Sequence, residues 1–176
     1  GKTPSKFKGD QRPVEQVSWT DGVAFCNALS SKLGLVPAYK GTDNNCELIS
    51  GANGFRLPFE AEWEFAAKGG QNFKYAGSDN INEVAWYKDN SGKQTHEVGK
   101  KKANGYGVYD MSGNVWEWCA DDYNSPGQHR LGASRRAGRG GGWGSSAVSC
   151  EVSRRHGYSP DDRFRNLGLR LSRSLG

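Results

Sequence analysis

Two carboxylates on either side of a tight turn are the residues of this chain whose types and spacing most suggest chemistry. Asp110 and Glu117 flank Gly113-Asn114 in the run Tyr109-Asp110-Met111-Ser112-Gly113-Asn114-Val115-Trp116-Glu117-Trp118-Cys119. Hard cations such as calcium take carboxylate and backbone carbonyl oxygens from loops of this kind. Glu117 could equally accept backbone N–H groups inside the turn, and both readings stand at this level. Met111, Trp116 and Trp118 read as core. Nucleophilic chemistry finds less support. Cys26, Cys46, Cys119 and Cys150 show no CxxC spacing and no zinc pattern. Two disulfides or four thiols are open to them, and mostly buried thiols are expected. His96, His129 and His156 read as surface or packing residues. No triad or paired-carboxylate acid–base site is visible.

The elements that must position these residues are short. Residues 1–13 are polar with two Pro and read as an arm over the surface, ahead of a single domain over 14–176. Val14 to Trp19 reads as a strand. Thr20 is a good N-cap for a helix from Asp21 to about Leu33, with Val23, Cys26, Ala28 and Leu29 as its apolar stripe and Gly34 as its stop. Residues 35–54 read as a hairpin or insert. A second helix follows Pro58, buries Trp63, Ala66 and Ala67, and stops at Gly69-Gly70. Beyond residue 70 helical periodicity gives way to short aromatic strands separated by Gly, Asn and Asp. This predicts an α+β domain of two helices, a small twisted antiparallel sheet and much ordered loop.

The bulk numbers agree. A chain of 176 residues suits one domain with one real core. Its 6 Trp, 7 Tyr and 7 Phe offset a low hydrophobic content, since each ring buries a large area. The net charge of +5 comes with neither a basic helix nor a stacking motif, so nucleic acid is not expected as a partner. No apolar run approaches a membrane span, so this stretch is not expected to insert into a bilayer.

Three motifs in order carry a family resemblance: Arg56-Leu57-Pro58-Phe59-Glu60-Ala61-Glu62-Trp63-Glu64, the Gly-Asn run above, and Arg139-Gly140-Gly141-Gly142-Trp143. Over roughly residues 14–172 the chain resembles the formylglycine-generating-enzyme (sulfatase-modifying-factor) family, which implies a C-type-lectin-like fold. The resemblance also implies a structural calcium ion at Asp110, Gly113, Val115 and Glu117, with side chains binding from the first and last and carbonyls from the middle two. Phe59 stands where the family usually has a hydroxyl cap, so the second helix should start about 1 kcal/mol less stably. The family's oxidase chemistry uses two cysteines that bind copper(I), and these positions fall on Ser145 and Cys150. A hydroxyl is a poor ligand for a soft metal, so copper is not expected, and the chain is read as no enzyme. A diverged oxidase, or a non-catalytic domain of a larger protein, are the alternatives.

The C-terminal stretch carries a second resemblance. Ala147, Cys150, Val152, Arg155, Pro160, Arg163 and Leu167-Gly168-Leu169-Arg170 form a framework similar to the variable region of diversity-generating-retroelement proteins, here about 142–166. In that class, Asn codons between framework residues are rewritten at adenines and cannot become Lys, Glu, Gln, Met or Trp. The corresponding positions are Gly144, Ser145, Ser146, Val148, Ser149, Arg154, His156, Gly157, Tyr158, Ser159, Asp161, Asp162, Phe164, Arg165 and Asn166, and none holds a forbidden residue. Gly142, where the family has Ser, fits a one-base change. Lys is absent from residue 103 onward while Arg is abundant there. The resemblance implies a ligand-binding protein with a diversified surface on a rigid scaffold. Its ligand is unknown, a protein being favoured over a glycan. Its expected location is the cell surface or outside the cell, as part of a longer anchored chain.

Overall fold

Ser18 opens the first helix, α1 (Trp19–Lys32). Its hydroxyl accepts the Asp21 N–H at 3.1 Å, and the Asp21 carboxylate accepts the Ser18 N–H at 2.9 Å. This reciprocal pair satisfies the free amides of the first turn, so the helix begins two residues earlier than the Thr20 cap predicts. No strand forms over residues 14–19. Trp19, Gly22, Val23, Cys26 and Ser30 are the buried side of α1, whereas Ala28 is exposed and Leu29 half-buried. The computed structural model describes residues 3–174.

Residues 35–54 form a hairpin of two short strands, β1 (Tyr39–Lys40) and β2 (Glu47–Leu48). β3 (Phe55–Arg56) then leads into α2 (Glu60–Lys68). Phe59 is the N-cap and gives no side-chain bond. Two carboxylates compensate in part, since Glu62 accepts the Phe59 N–H at 2.9 Å and Asp121 accepts the Glu60 N–H at 2.7 Å. Trp63 and Ala67 are buried, Ala66 half-buried, and Gly69 closes the helix in the left-handed region. A third helix, α3 (Ile81–Val84), is a single turn and too short to show periodicity in the sequence.

The main sheet has four strands: β4 (Trp116–Asp122), β5 (Arg136–Arg139), β6 (Arg155–Tyr158) and β7 (Leu167–Leu169), in the order β6-β5-β4-β7. It is mixed rather than antiparallel throughout, because the chain leaves β6 and returns to the far edge, where β7 runs parallel to β4. A last strand, β8 (Ser172–Arg173), pairs with β3. Every residue of β4 is buried. One core cluster gathers Trp19, Val23, Leu57, Trp116, Trp118 and Leu167; another gathers Trp63, Ala67, Met111, Cys119, Ala137 and Val152. Two indoles of the first cluster are bonded to main chain: Trp19 donates to the Cys119 carbonyl and Trp118 to that of Val17, each at 2.9 Å. All four cysteines are free and buried.

A buried ionic cluster clamps α2 to the sheet. Glu60 accepts from Arg139 at 2.9 Å and from both Nε and Nη2 of Arg155, and Arg139 also reaches Glu64 at 2.6 Å. Breaking such a cluster on one side strands a buried charge and typically costs about 3–5 kcal/mol.

Candidate ligand face and a carboxylate cleft

β6 alternates across the sheet. His156 is exposed, Gly157 is buried and Tyr158 half-buried. Gly157 is closed to any side chain, since a Cβ there would lie 2.6 Å from Cγ and Cδ1 of Tyr123. His156 and Tyr158 instead join an aromatic strip. Ring centroids are 5.8 Å apart for Trp116–His156, 4.6 Å for His156–Tyr158 and 5.9 Å for Tyr158–Phe164. Partial shielding of its ring from water, with Arg135 nearby, lowers the His156 pKa below its ordinary value. Burial, with Asp162 adding to it, raises that of the Tyr158 phenol.

The backbone after this strip is held by donors from outside it. The carbonyls of three successive residues are each pinned: Phe164 by the Gln16 N–H at 3.1 Å, Arg165 by the Trp143 indole at 2.9 Å, and Asn166 by the Trp116 N–H at 2.7 Å. Upstream, the Pro160 carbonyl accepts from the Trp19 N–H, the Gly157 carbonyl from the Arg135 guanidinium, and the Ser145 carbonyl from the Lys88 N–H. Gln16 holds a left-handed φ of 60° to reach its partner. Sequence reasoning does not single out Trp143, Gln16 or Arg135. Only Trp143 carries a signal, as the end of the Arg-Gly-Gly-Gly-Trp motif.

The remaining candidate positions divide by environment. Gly144, Ser146, Val148, Arg154, Ser159, Asp161, Phe164 and Arg165 are exposed. Ser145, Ser149, Asp162 and Asn166 are half-buried, and Gly142 is buried. A Cβ on Gly142 would lie 3.0 Å from Asn166, whereas Gly144 has nothing within 4 Å. Ser145 works inward: its Oγ accepts from the Trp116 indole at 3.1 Å and from the Gly142 N–H at 2.9 Å. The Cys150 thiol is fully buried, and burial pushes its pKa up to about 12, so it is a protonated packing group rather than a thiolate.

The turn residues face a different region. Asp110, Val115 and Glu117 line a cleft of about 500 Å³ with Val98, Tyr109, Leu169 and Arg170. Glu117 is buried and already bonded: Arg170 donates to its two oxygens at 2.8 and 2.9 Å, and the Trp63 indole adds a bond at 2.7 Å. Asp110 accepts the Gly99 N–H at 2.7 Å and has a left-handed φ of 58°. Burial raises its pKa, and the nearby Glu117 charge adds to the rise against the opposing Gly99 N–H and Arg170. Gly113 is forced into its turn by close approach, since a Cβ would lie 2.4 Å from the Trp86 carbonyl oxygen. Of the two carboxylates, Asp110 accepts the Gly99 N–H alone among the described residues, whereas both Glu117 oxygens are already occupied by Arg170 and Trp63. Among the described residues, no group of three or more His, Cys, Asp or Glu is arranged to hold a metal.

Comparison with known proteins gives concordant matches. The sulfatase-modifying factor enzyme 1-like domain matches residues 1–175. Chaperone protein LppX of Paenibacillus barcinonensis is 41% identical over 99% of this chain and 74% of its own length. Inactive C-alpha-formylglycine-generating enzyme 2 of Mus musculus is 32% identical over 93% of this chain, which spans half of that protein. Among solved structures, Treponema denticola variable protein 1 superposes with a TM-score of 0.90 and 40% identity, over 97% of this chain and 77% of its own.

Proposed function

The chain belongs to the sulfatase-modifying-factor family, and we propose that it is a non-catalytic member that binds a ligand, most suitably a protein, through a diversified face of residues 142–166. The observation that carries this reading is the pinning of the Phe164, Arg165 and Asn166 carbonyls by Gln16, Trp143 and Trp116. With the main chain held from outside, side chains can change while the backbone stays in place, the arrangement that suits contact loops on a rigid scaffold. The inactive and variable relatives support it, as does the pairing of Ser145 with a buried, protonated Cys150 in place of two thiolates. A diverged oxidase is the weaker reading for the same reason.

Within this proposal calcium is a structural cofactor held by Asp110, the carbonyls of Gly113 and Val115, and Glu117, with no part in binding the ligand. The display face would lie outside the cell, where a diversified binder meets its targets. No helix among the described residues is long and apolar enough to cross a membrane.

A displayed library tests the proposal. Val148, Ser159, Asp161, Phe164 and Arg165 are randomised together and selected against a folded target such as lysozyme. Folded, target-specific clones are expected. Loss of folding across most of the library would refute it.

A further inference from the structure

We infer that the ligand face extends onto a corner built by the N-terminal arm, where Phe7 packs on Trp143, Lys6 and Lys8 flank Phe7 in the chain and the varied Arg165 is held by the Trp143 indole, and that this corner takes an acidic protein segment carrying an apolar side chain. The arm has no helix or strand, yet it is tied down. Phe7 stands edge-on to Trp143 with centroids 5.7 Å apart, and its N–H donates to Glu15 at 2.8 Å. Trp143 in turn holds the Arg165 carbonyl. Both rings are half-buried, leaving apolar surface in reach of a partner.

The charges decide the partner. Lys6, Lys8 and Arg165 are exposed, and none forms an ion pair among the described residues, whereas the neighbouring Arg163 is paired with Asp21. Lys8 and Arg165 both lie within Coulomb reach of Glu15. That carboxylate is fully buried, and its Oε2 has no partner among the described residues, so neither cation is bonded to it. Asp10 is the one acidic side chain exposed on the arm. Unpaired cations around accessible rings complement carboxylates flanking an apolar group. Lys6, Phe7, Lys8 and Trp143 are not among the varied positions, so this part of the corner reads a feature shared by successive partners, while Arg165 changes with the display face.

The inference rests on the display reading, whose library test is separate from the following one. A fluorescent synthetic peptide of glutamates interrupted by phenylalanines is titrated by anisotropy, against a counterpart with glutamines for glutamates. The acidic peptide should bind at least about tenfold more tightly, and Lys6→Glu with Lys8→Glu should remove that advantage. Phe7→Ala should weaken both peptides. Equal binding of the two peptides, an unaffected charge-reversed variant, or displacement by heparin at the same charge concentration would overturn the inference.

Discussion

Gly157 and Gly144 occupy equivalent places in the varied stretch, and the structure separates them sharply. Replacing Gly157 by alanine puts a methyl group 2.6 Å from the root atoms of the Tyr123 ring and 3.0 Å from Arg135 Nε. Ring-root carbons cannot swing aside as a side-chain tip would. The Tyr123 ring is also covered by two guanidinium groups, Arg135 at 5.1 Å and Arg155 at 4.6 Å from its centroid. Overpacking of this kind costs about 1–3 kcal/mol. For a domain of this size that is a fall in Tm of roughly 2–12 °C. Gly144→Ala meets nothing within 4 Å, and its backbone is outside the left-handed region. It should be neutral or stabilise by up to about 1 kcal/mol through the unfolded chain. Urea or thermal melting of the two single variants measures the difference. Equal effects would refute the division of these positions into open and closed.

Three further outcomes follow from the same geometry. Trp116→Ala should cost about 3–5 kcal/mol, against less than about 1 for the exposed Phe164→Ala, with half-buried Tyr158→Ala between them; chemical denaturation ranks the three. Calcium should raise the Tm of the wild-type domain above its value in chelator by mass action, and Asp110→Asn should remove the response, so identical melting in both solutions would reject the cation. The folded-state pKa of His156 is depressed, so as pH falls through the ordinary imidazole range, about 6.5, the unfolded chain gains its proton first. Stability carried by the neutral ring is full above that range and lost below it, and His156→Asn should flatten this part of the stability–pH curve.

The elements legible in the sequence are those with strong local signals. Pro58, Trp63 and Gly69 mark α2, and turn residues between Tyr39 and Leu48 mark the hairpin. The start of α1 is harder to place because Ser18 and Thr20 are both good caps, and only the reciprocal bond with Asp21 selects Ser18. The parallel pairing of β7 with β4 has no local signature; it arises from where the loop after Pro160 is anchored. The aromatic types at Tyr158 and Phe164 suggest contact residues, but not that Tyr158 bridges the strip to Trp118. Gly142 and Gly157 look like open positions because a glycine in sequence does not reveal whether its missing side chain faces water or a ring.

The anchoring of the main chain also explains why this scaffold tolerates change. A loop loses its conformation when substitution alters local side-chain-to-backbone bonds. Here most of the anchoring bonds run the other way. Their donors are Gln16, Trp19, Lys88, Trp116, Arg135 and Trp143, all outside the varied positions, and their acceptors are main-chain carbonyls that every residue possesses. Changing Phe164 or Arg165 therefore removes a side chain but no anchor. Ser145 and Asp162 are exceptions: the Ser145 hydroxyl accepts from both the Trp116 indole and the Gly142 amide, and the Asp162 carboxylate accepts the Ser159 N–H at 2.9 Å. Ser145→Ala would leave two donors unsatisfied at the edge of the core, a loss of about 1–3 kcal/mol. It should thus behave as a structural residue while Phe164 and Arg165 behave as displayed ones. Melting of Ser145→Ala beside Arg165→Ala checks this; a larger loss for the arginine would mean the anchors do not carry the loop.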